Sequence, residues 1–397
     1  MVRGVVRARL GRMRAEETKA IAAALGVEVV ATRTLAGGFS HETTLLELAG
    51  GGAVVTRLGG PDPAVEAAVM ELGRRYVPVP EVLLVLPSVA DGRPAMVLEH
   101  VAGTPLDIVL AGPSTMPADP GTLASGPGIE LTDPELLVSG PDTVRPDPKI
   151  LTSQPGDVRS DPEIVLAGAG SGPGADPGSD PRSDPGSGPS VGELRALGVE
   201  VGRVVAGIGG AGFDRPGFFG GSDLAVAAGP PWSEQLPAFA ESCMSKVPSS
   251  RLDPAVRAAW AEMCAAHAPT LTRVDGWARL VHSDMNPKNL LVTRAADGWR
   301  VDAVLDWEFS FSGCPYADAA NMLRFGADYP AGFTEGFRAG FAAHLPSDLP
   351  SDDDWVHLGH VLDMFALSDL VTRPAGNPVA DRAAEEIRRW VAGGVPR

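Results

Sequence analysis

The sequence predicts an α+β chain in two folded parts, one strand-rich and one helical, separated by a long insert. Three observations predict it. Residues 1–103 carry short β-prone runs around a single periodic helix. Residues 191–397 carry six stretches of helical periodicity. Between them lies a segment whose composition cannot build a core. The chain has 397 residues, room for two or three domains. Its 48 Gly and 37 Pro are about twice the ordinary share, so some stretch must be abnormal.

In the N-terminal part, Glu16–Leu25 reads as a helix, followed by β-prone runs at Val27–Leu35, Thr43–Leu48 and Ala53–Leu58. A second helix runs from about Pro63 to Arg75, with Val65, Ala68, Val69 and Leu72 at i, i+3, i+4, i+7. Pro78 and Pro80 end it. Strands follow at Val82–Leu86 and Ala95–Glu99, separated by a turn at Asp91-Gly92.

The insert spans 104–190. Its residues 111–190 hold 15 Pro and 13 Gly, 12 acidic and 4 basic groups, and no aromatic residue. So few large apolar groups cannot offset the entropy of ordering the backbone, and the segment reads as disordered. Asp-Pro recurs at 119, 133, 147 and 161, a period of 14 residues. A repeated docking motif or short solenoid is the alternative to an expanded repeat in a surface loop.

Beyond the insert, helices are expected at Val191–Ile208, Ala255–Ala266, Tyr316–Phe325, Phe333–His344, Trp355–Leu370 and Val379–Val391. One β-rich patch interrupts them, Leu290–Val292 and Val301–Leu305 joined by a turn at Asp297-Gly298. A net charge of −17 argues against nucleic-acid and anionic-membrane partners. Three cysteines without CxxC spacing give neither a disulfide framework nor a zinc site. No signal-peptide pattern and no apolar run long enough to span a bilayer occurs, so the expected location is the cytoplasm.

The densest polar cluster is His282-Ser283-Asp284-Met285-Asn286-Pro287-Lys288-Asn289, flanked by apolar runs on both sides, which places it on a loop between buried elements. Asp306 follows at the end of another apolar run. Such a set suits phosphoryl transfer: Asp284 to accept a hydroxyl proton, Asn289 and Asp306 to offer oxygens to Mg²⁺ bridging nucleotide phosphates.

These residues resemble the His-x-Asp-x-x-x-x-Asn catalytic loop of the aminoglycoside phosphotransferase family, relatives of choline kinases and protein kinases. Asp306-Trp307-Glu308 resembles the metal-binding Asp-Phe-Gly of kinases. The resemblance implies a two-lobed protein-kinase-like fold, with an antiparallel N-terminal sheet plus helix and a mainly helical C-terminal lobe. It implies Asp284 as catalytic base, Asn289 and Asp306 as magnesium ligands, His282 as a brace, and Asp318 as a hold on the loop. Leu35–His41, with Gly37, Gly38 and Ser40, resembles the nucleotide-covering loop, and Arg57 stands where the phosphate-gripping lysine is usual. Glu66, or less simply Glu71, would pair with Arg57. Met96–Val101 resembles the adenine hinge, with Glu99 and Val101 in it. Lys288 is placed beside the transferring phosphate. Gly209-Gly210 departs from the family's usual Leu-His pair.

The expected function is transfer of the γ-phosphoryl group of ATP (or GTP) to a hydroxyl of a small molecule, aminoglycoside-like or another amino or sugar alcohol. Among the C-terminal acids Glu308, Asp328, Glu335, Asp352, Asp353, Asp354, Asp363 and Asp369, Glu308 is the expected substrate-facing one, and Trp307 and Phe309 are expected to pack. The alternative is a catalytically silent nucleotide-binding regulator using the insert as a docking arm.

Overall fold

A computed structural model describes residues 13–35, 41–60, 62–90, 92–112, 188–349 and 354–397. The expected N-terminal pattern of helix, strands, helix and strands is present: α1 (Ala15–Leu25), β1 (Val29–Thr34), β2 (Glu42–Leu48), β3 (Ala53–Leu58), α2 (Pro63–Gly73), β4 (Val82–Leu86) and β5 (Ala95–Glu99). The five strands form an antiparallel sheet in the order β1-β2-β3-β5-β4. Strand alternation divides its two faces. Leu46, Val54, Leu58 and Val97 pack with Ile21 of α1, while Val55, Met96 and Leu98 join the core that continues into the C-terminal lobe. Arg57 alternates with Thr56 and Leu58 and so falls on this second face.

Two further N-terminal features follow. Asp62 caps α2 by accepting the Ala64 N–H, with Pro63 at the first helical position. Residues 104–111, which the sequence assigns to the insert, instead form β6 (Thr104–Pro105) and α3 (Leu106–Ala111). Leu106 is fully buried, so the fold has a use for this segment that its neighbours' composition hides. The expectations for residues 113–187, repeat included, lie outside the described residues.

The C-terminal lobe begins with α4 (Val191–Ile208), whose Ser190 and Glu193 form a capping box. Then come β7 (Gly217–Phe218), α5 (Trp232–Lys246), α6 (Pro254–His267), β8 (Arg279–Val281), β9 (Leu290–Ala295), β10 (Gly298–Val304) and β11 (Phe311–Gly313). The helices α7 (Tyr316–Leu323), α8 (Phe333–His344), α9 (Trp355–Leu370) and α10 (Pro378–Gly393) complete it. β9 pairs with β10 and, at Val292↔Thr104, with β6; β11 pairs with β7 and β8.

Two helices meet more closely than side chains allow. A Cβ added at Gly198 or Gly202 of α4 would stand 2.2 or 2.3 Å from a carbonyl oxygen of α8, and one at Gly336 or Gly340 of α8 would stand 2.0 or 2.2 Å from one of α4. Four glycines therefore let the two backbones touch. Among the described residues no helix is long and apolar enough to cross a membrane.

Candidate functional site

β8 carries the chain out of the core at Val281 and into the polar loop, and a short 3₁₀ turn at Pro287–Asn289 returns it to β9. Two backbone N–H groups at the loop's start, His282 and Ser283, each donate to Asp318 of α7 at 2.8 Å. Asp318 is 1% exposed. Burial pushes its pKa up to about 6, against the pull of these donors and of His282. His282 is fully buried: its Nε2 donates to the Leu305 carbonyl at 2.8 Å, and its Nδ1 accepts the Asp284 N–H at 3.2 Å. That pattern assigns the tautomer with the proton on Nε2. The imidazole thus braces the loop against the strand end before Asp306.

Asp284 and Asn289 are in direct contact. The Asn289 amide donates to the Asp284 carboxylate at 3.0 Å and to its carbonyl at 2.8 Å. This leaves the Asn289 Oδ1 lone pairs for another partner. Burial raises the Asp284 pKa, partly opposed by His282 and Arg324. The Leu305 N–H donates to the Asn289 carbonyl at 2.8 Å, which ties the loop to the residue preceding Asp306. Asp306 itself has φ 68° and Ser283 has φ 72°, left-handed conformations that cost a non-glycine residue about 1–2 kcal/mol.

The second half of the site crosses between the lobes. Arg57 Nη1 donates to Glu66 of α2, and Nη2 donates to Asp306 Oδ1 at 2.6 Å. Although burial works against its charge, Glu66, Asp306 and Glu308 hold the Arg57 pKa above its ordinary value. Glu66 also accepts the Trp307 N–H at 3.1 Å, so one carboxylate joins α2, Arg57 and the segment after Asp306. Glu71 is exposed on the same helix and takes no part. The Arg57 fork thus meets Glu66 and Asp306 with separate nitrogens, which a lysine's single ammonium could not do in that planar geometry.

The last residue of the segment that resembles the nucleotide-covering loop joins them. His41, 8% exposed, accepts from Arg57 Nη2 at 2.8 Å through Nδ1. Burial and the neighbouring Arg57 charge lower its pKa to about 4, with Asp306 opposing, so it is neutral at pH 7. His41, Asp306 and Glu308 offer ligand atoms within 4.8 Å of one another. Arg57 is already bonded to two of these three residues.

Other expectations fare differently. Glu308, expected to face the substrate, is buried: its side chain is 2% exposed and its Oε2 lies 3.8 Å from His41 Nδ1. His41 of the N-terminal lobe lies against it, and α2 packs against Trp307, whose indole lies 3.1 Å from a Cβ built on Gly73. Phe309, expected to pack, is 49% exposed. Asp363 pairs with Arg324 inside the lobe. Asp354 pairs with Arg273 at the start of α9. Lys288 is exposed on the loop, Glu99 ends β5 exposed and accepts the Glu81 N–H at 3.2 Å, and Val101 is half-buried just beyond. Gly37, Gly38, Ser40, Asp352 and Asp353 lie outside the described residues.

Asn289 Oδ1 and the Asp306 carboxylate are hard donors on adjoining backbone segments, a set that fits Mg²⁺.

The profile of the phosphotransferase enzyme family matches residues 175–355. No curated protein matches the chain by sequence. Among solved structures, the aminoglycoside phosphotransferase APH(4)-Ia, as a thermostable mutant in complex with ADP and hygromycin B, is 14% identical with a TM-score of 0.58, covering 96% of this chain and 99% of that one. A putative aminoglycoside phosphotransferase from Ralstonia eutropha is 17% identical with a TM-score of 0.53, covering 94% and 98%. The GDP complex of an aminoglycoside 2'-phosphotransferase-IIIa mutant is 13% identical with a TM-score of 0.54, covering 96% and 98%. At these identities the likeness is one of fold.

Proposed function

We propose, from the match of residues 175–355 to the phosphotransferase enzyme family, that the chain moves the γ-phosphoryl group of ATP or GTP to a hydroxyl of a small acceptor. One observation carries the reading. Asp284, Asn289 and Asp306 converge through the Asn289–Asp284 hydrogen bonds and the Leu305–Asn289 backbone bond, although 22 residues separate the first from the last.

Asp284 is the proton acceptor. Burial raises its pKa, which makes it a better base. The Asn289 amide, bonded to its carboxylate, fixes the direction from which a hydroxyl approaches. Asn289 Oδ1 and Asp306 would hold Mg²⁺, which when bound neutralises charge on the nucleotide phosphates. Arg57 carries positive charge from the N-terminal sheet to the same point, and Glu66 orients it. The chemistry asks only for positioning and charge neutralisation, so a direct in-line transfer without a phosphoenzyme follows.

For the acceptor, an amino or sugar alcohol of aminoglycoside type is the class that the hygromycin B complex of the APH(4)-Ia neighbour supports.

The test is Mg²⁺-dependent transfer from γ-labelled ATP and GTP to aminoglycosides, amino alcohols and sugars. Asp284→Asn is expected to lower turnover at least about 100-fold while nucleotide affinity stays within twofold. Equal turnover in the variant would remove Asp284 as base, and tight nucleotide binding with no transfer by the native chain would return the silent regulator.

A further inference from the structure

Arg57 has three acceptors around two nitrogens, and they are not equivalent. Glu66 takes Nη1. Nη2 is shared by Asp306 Oδ1 at 2.6 Å and His41 Nδ1 at 2.8 Å. Asp306 is also the carboxylate that a nucleotide-bound cation would claim. Once Asp306 turns to that cation, a guanidinium held only by Glu66 is free to pivot about the Nη1 contact. His41 is the acceptor that stays.

The fold gives the imidazole its place. His41 stands at the head of β2, directly after the glycine-containing loop and two residues before Thr43, which pairs with Arg57 across β2 and β3. Its ring lies against Gly60, where a Cβ would stand 2.1 Å from Nε2 and 2.5 Å from Cδ2. Gly60 has φ +83°, so both its conformation and its missing side chain make room for the ring. The imidazole is therefore seated by backbone on one side and aimed at Arg57 on the other.

We infer that His41 is a positioning residue for nucleotide phosphates, acting through Arg57 by keeping its guanidinium plane fixed when Asp306 is engaged elsewhere. A lysine at position 57 would have no such need, since an ammonium has no plane to orient. The inference rests on the nucleotide reading of the cleft and gives His41, until now only the end of the loop-like segment, a role of its own beside Arg57 and Glu66.

The experiment compares His41→Leu, His41→Asn and His41→Gln. Asn places its amide oxygen near the position of Nδ1, whereas Gln places it near Nε2. Affinity for ATP is measured by equilibrium dialysis with and without Mg²⁺, alongside KM for nucleotide and for acceptor and thermal midpoints. His41→Leu is expected to weaken ATP about tenfold, the scale of one hydrogen bond to a charged group. It should raise nucleotide KM by a similar factor and leave acceptor KM unchanged. His41→Asn should recover binding to within threefold and His41→Gln should not. In an Arg57→Ala background, His41→Leu should add nothing.

Unchanged ATP affinity in His41→Leu overturns the inference, as does an Asn variant as weak as the Leu one, or a full effect in the Arg57→Ala background. Equal melting of native and Asn proteins keeps a folding defect from imitating the result. Native protein without affinity for ATP or GTP overturns both this inference and the proposed function. Tight native binding that His41→Leu leaves intact overturns this inference alone.

Discussion

Replacing Gly336 of α8 by alanine isolates the close helix contact from every other feature of the C-terminal lobe. The new Cβ would start 2.0 Å from the Arg195 carbonyl oxygen and 2.9 Å from its carbon. A carbon–oxygen contact needs about 3.3 Å, so α4 and α8 must part by roughly 1.3 Å. A gap of only about 0.5–1 Å already forfeits a quarter to a half of the dispersion energy of the atoms facing it, so a quarter is a floor here. The facing residues include Leu194, Leu197, Val201, Phe333, Phe337 and Phe341, all in the core. At about 2 kcal/mol of burial energy each, losing a quarter costs about 3 kcal/mol. Alanine's better helix propensity returns about 1 kcal/mol, leaving a net loss of about 2 kcal/mol. Urea unfolding measures it, with Gly192→Ala as the control. At Gly192, also in α4, a Cβ meets nothing within 4 Å, so only the propensity gain remains. A Gly336→Ala protein as stable as the native one would refute the close-contact reasoning.

Three other outcomes are expected. Asp363→Ala strands the buried Arg324 guanidinium, whose Nε donates to Asp363 at 2.8 Å, and should cost about 3–5 kcal/mol in urea unfolding; a loss under 1 kcal/mol would contradict it. Asp318 keeps its proton below about 6 in the folded chain, whereas the unfolded chain releases it down to the ordinary aspartate range. Stability of the native protein relative to Asp318→Asn should therefore rise as pH falls from 7 to 4, by on the order of 2–3 kcal/mol, and a flat difference would refute this. Cys243, Cys264 and Cys314 are buried, and burial raises the pKa of Cys243 to about 11 and Cys264 to about 12. Ellman's reagent should titrate none of the three in the folded protein and all of them after unfolding.

The polar loop was readable because its candidate groups are local: one short stretch supplies Asp284 and Asn289, and apolar runs on each side announce a loop between buried elements. Long periodic helices were readable for a similar reason, and α4, α8 and α9 begin and end where the spacing predicts. Helix α5 was missed. Its apolar residues Trp232, Leu236, Ala240, Cys243 and Met244 keep helical spacing, but Pro237 and four intervening serines and glutamates mask it. Strands β6, β7, β8 and β11 have two or three residues each, too few for any period to show. His41 was legible only as the end of a loop-like segment, because its neighbours Arg57 and Asp306 lie 16 and 265 residues away. Glu308 was misread for the complementary reason. Its distance from Asp306 was visible in the sequence, but the closure of the N-terminal lobe over it was not.

The left-handed backbone at Asp306 makes shape and charge separable at this one position. Asparagine tolerates that handedness almost as well as aspartate, and glycine better, whereas alanine resists it. Asp306→Asn would therefore report on the lost anion alone. Asp306→Gly would remove the anion and release the strain together, and Asp306→Ala would remove the anion and keep the strain. Alanine scanning assumes that truncation is neutral for the main chain, and here it is not. A loss of function in Asp306→Ala would be ambiguous between a missing ligand and a displaced Trp307. The three substitutions read side by side resolve that ambiguity.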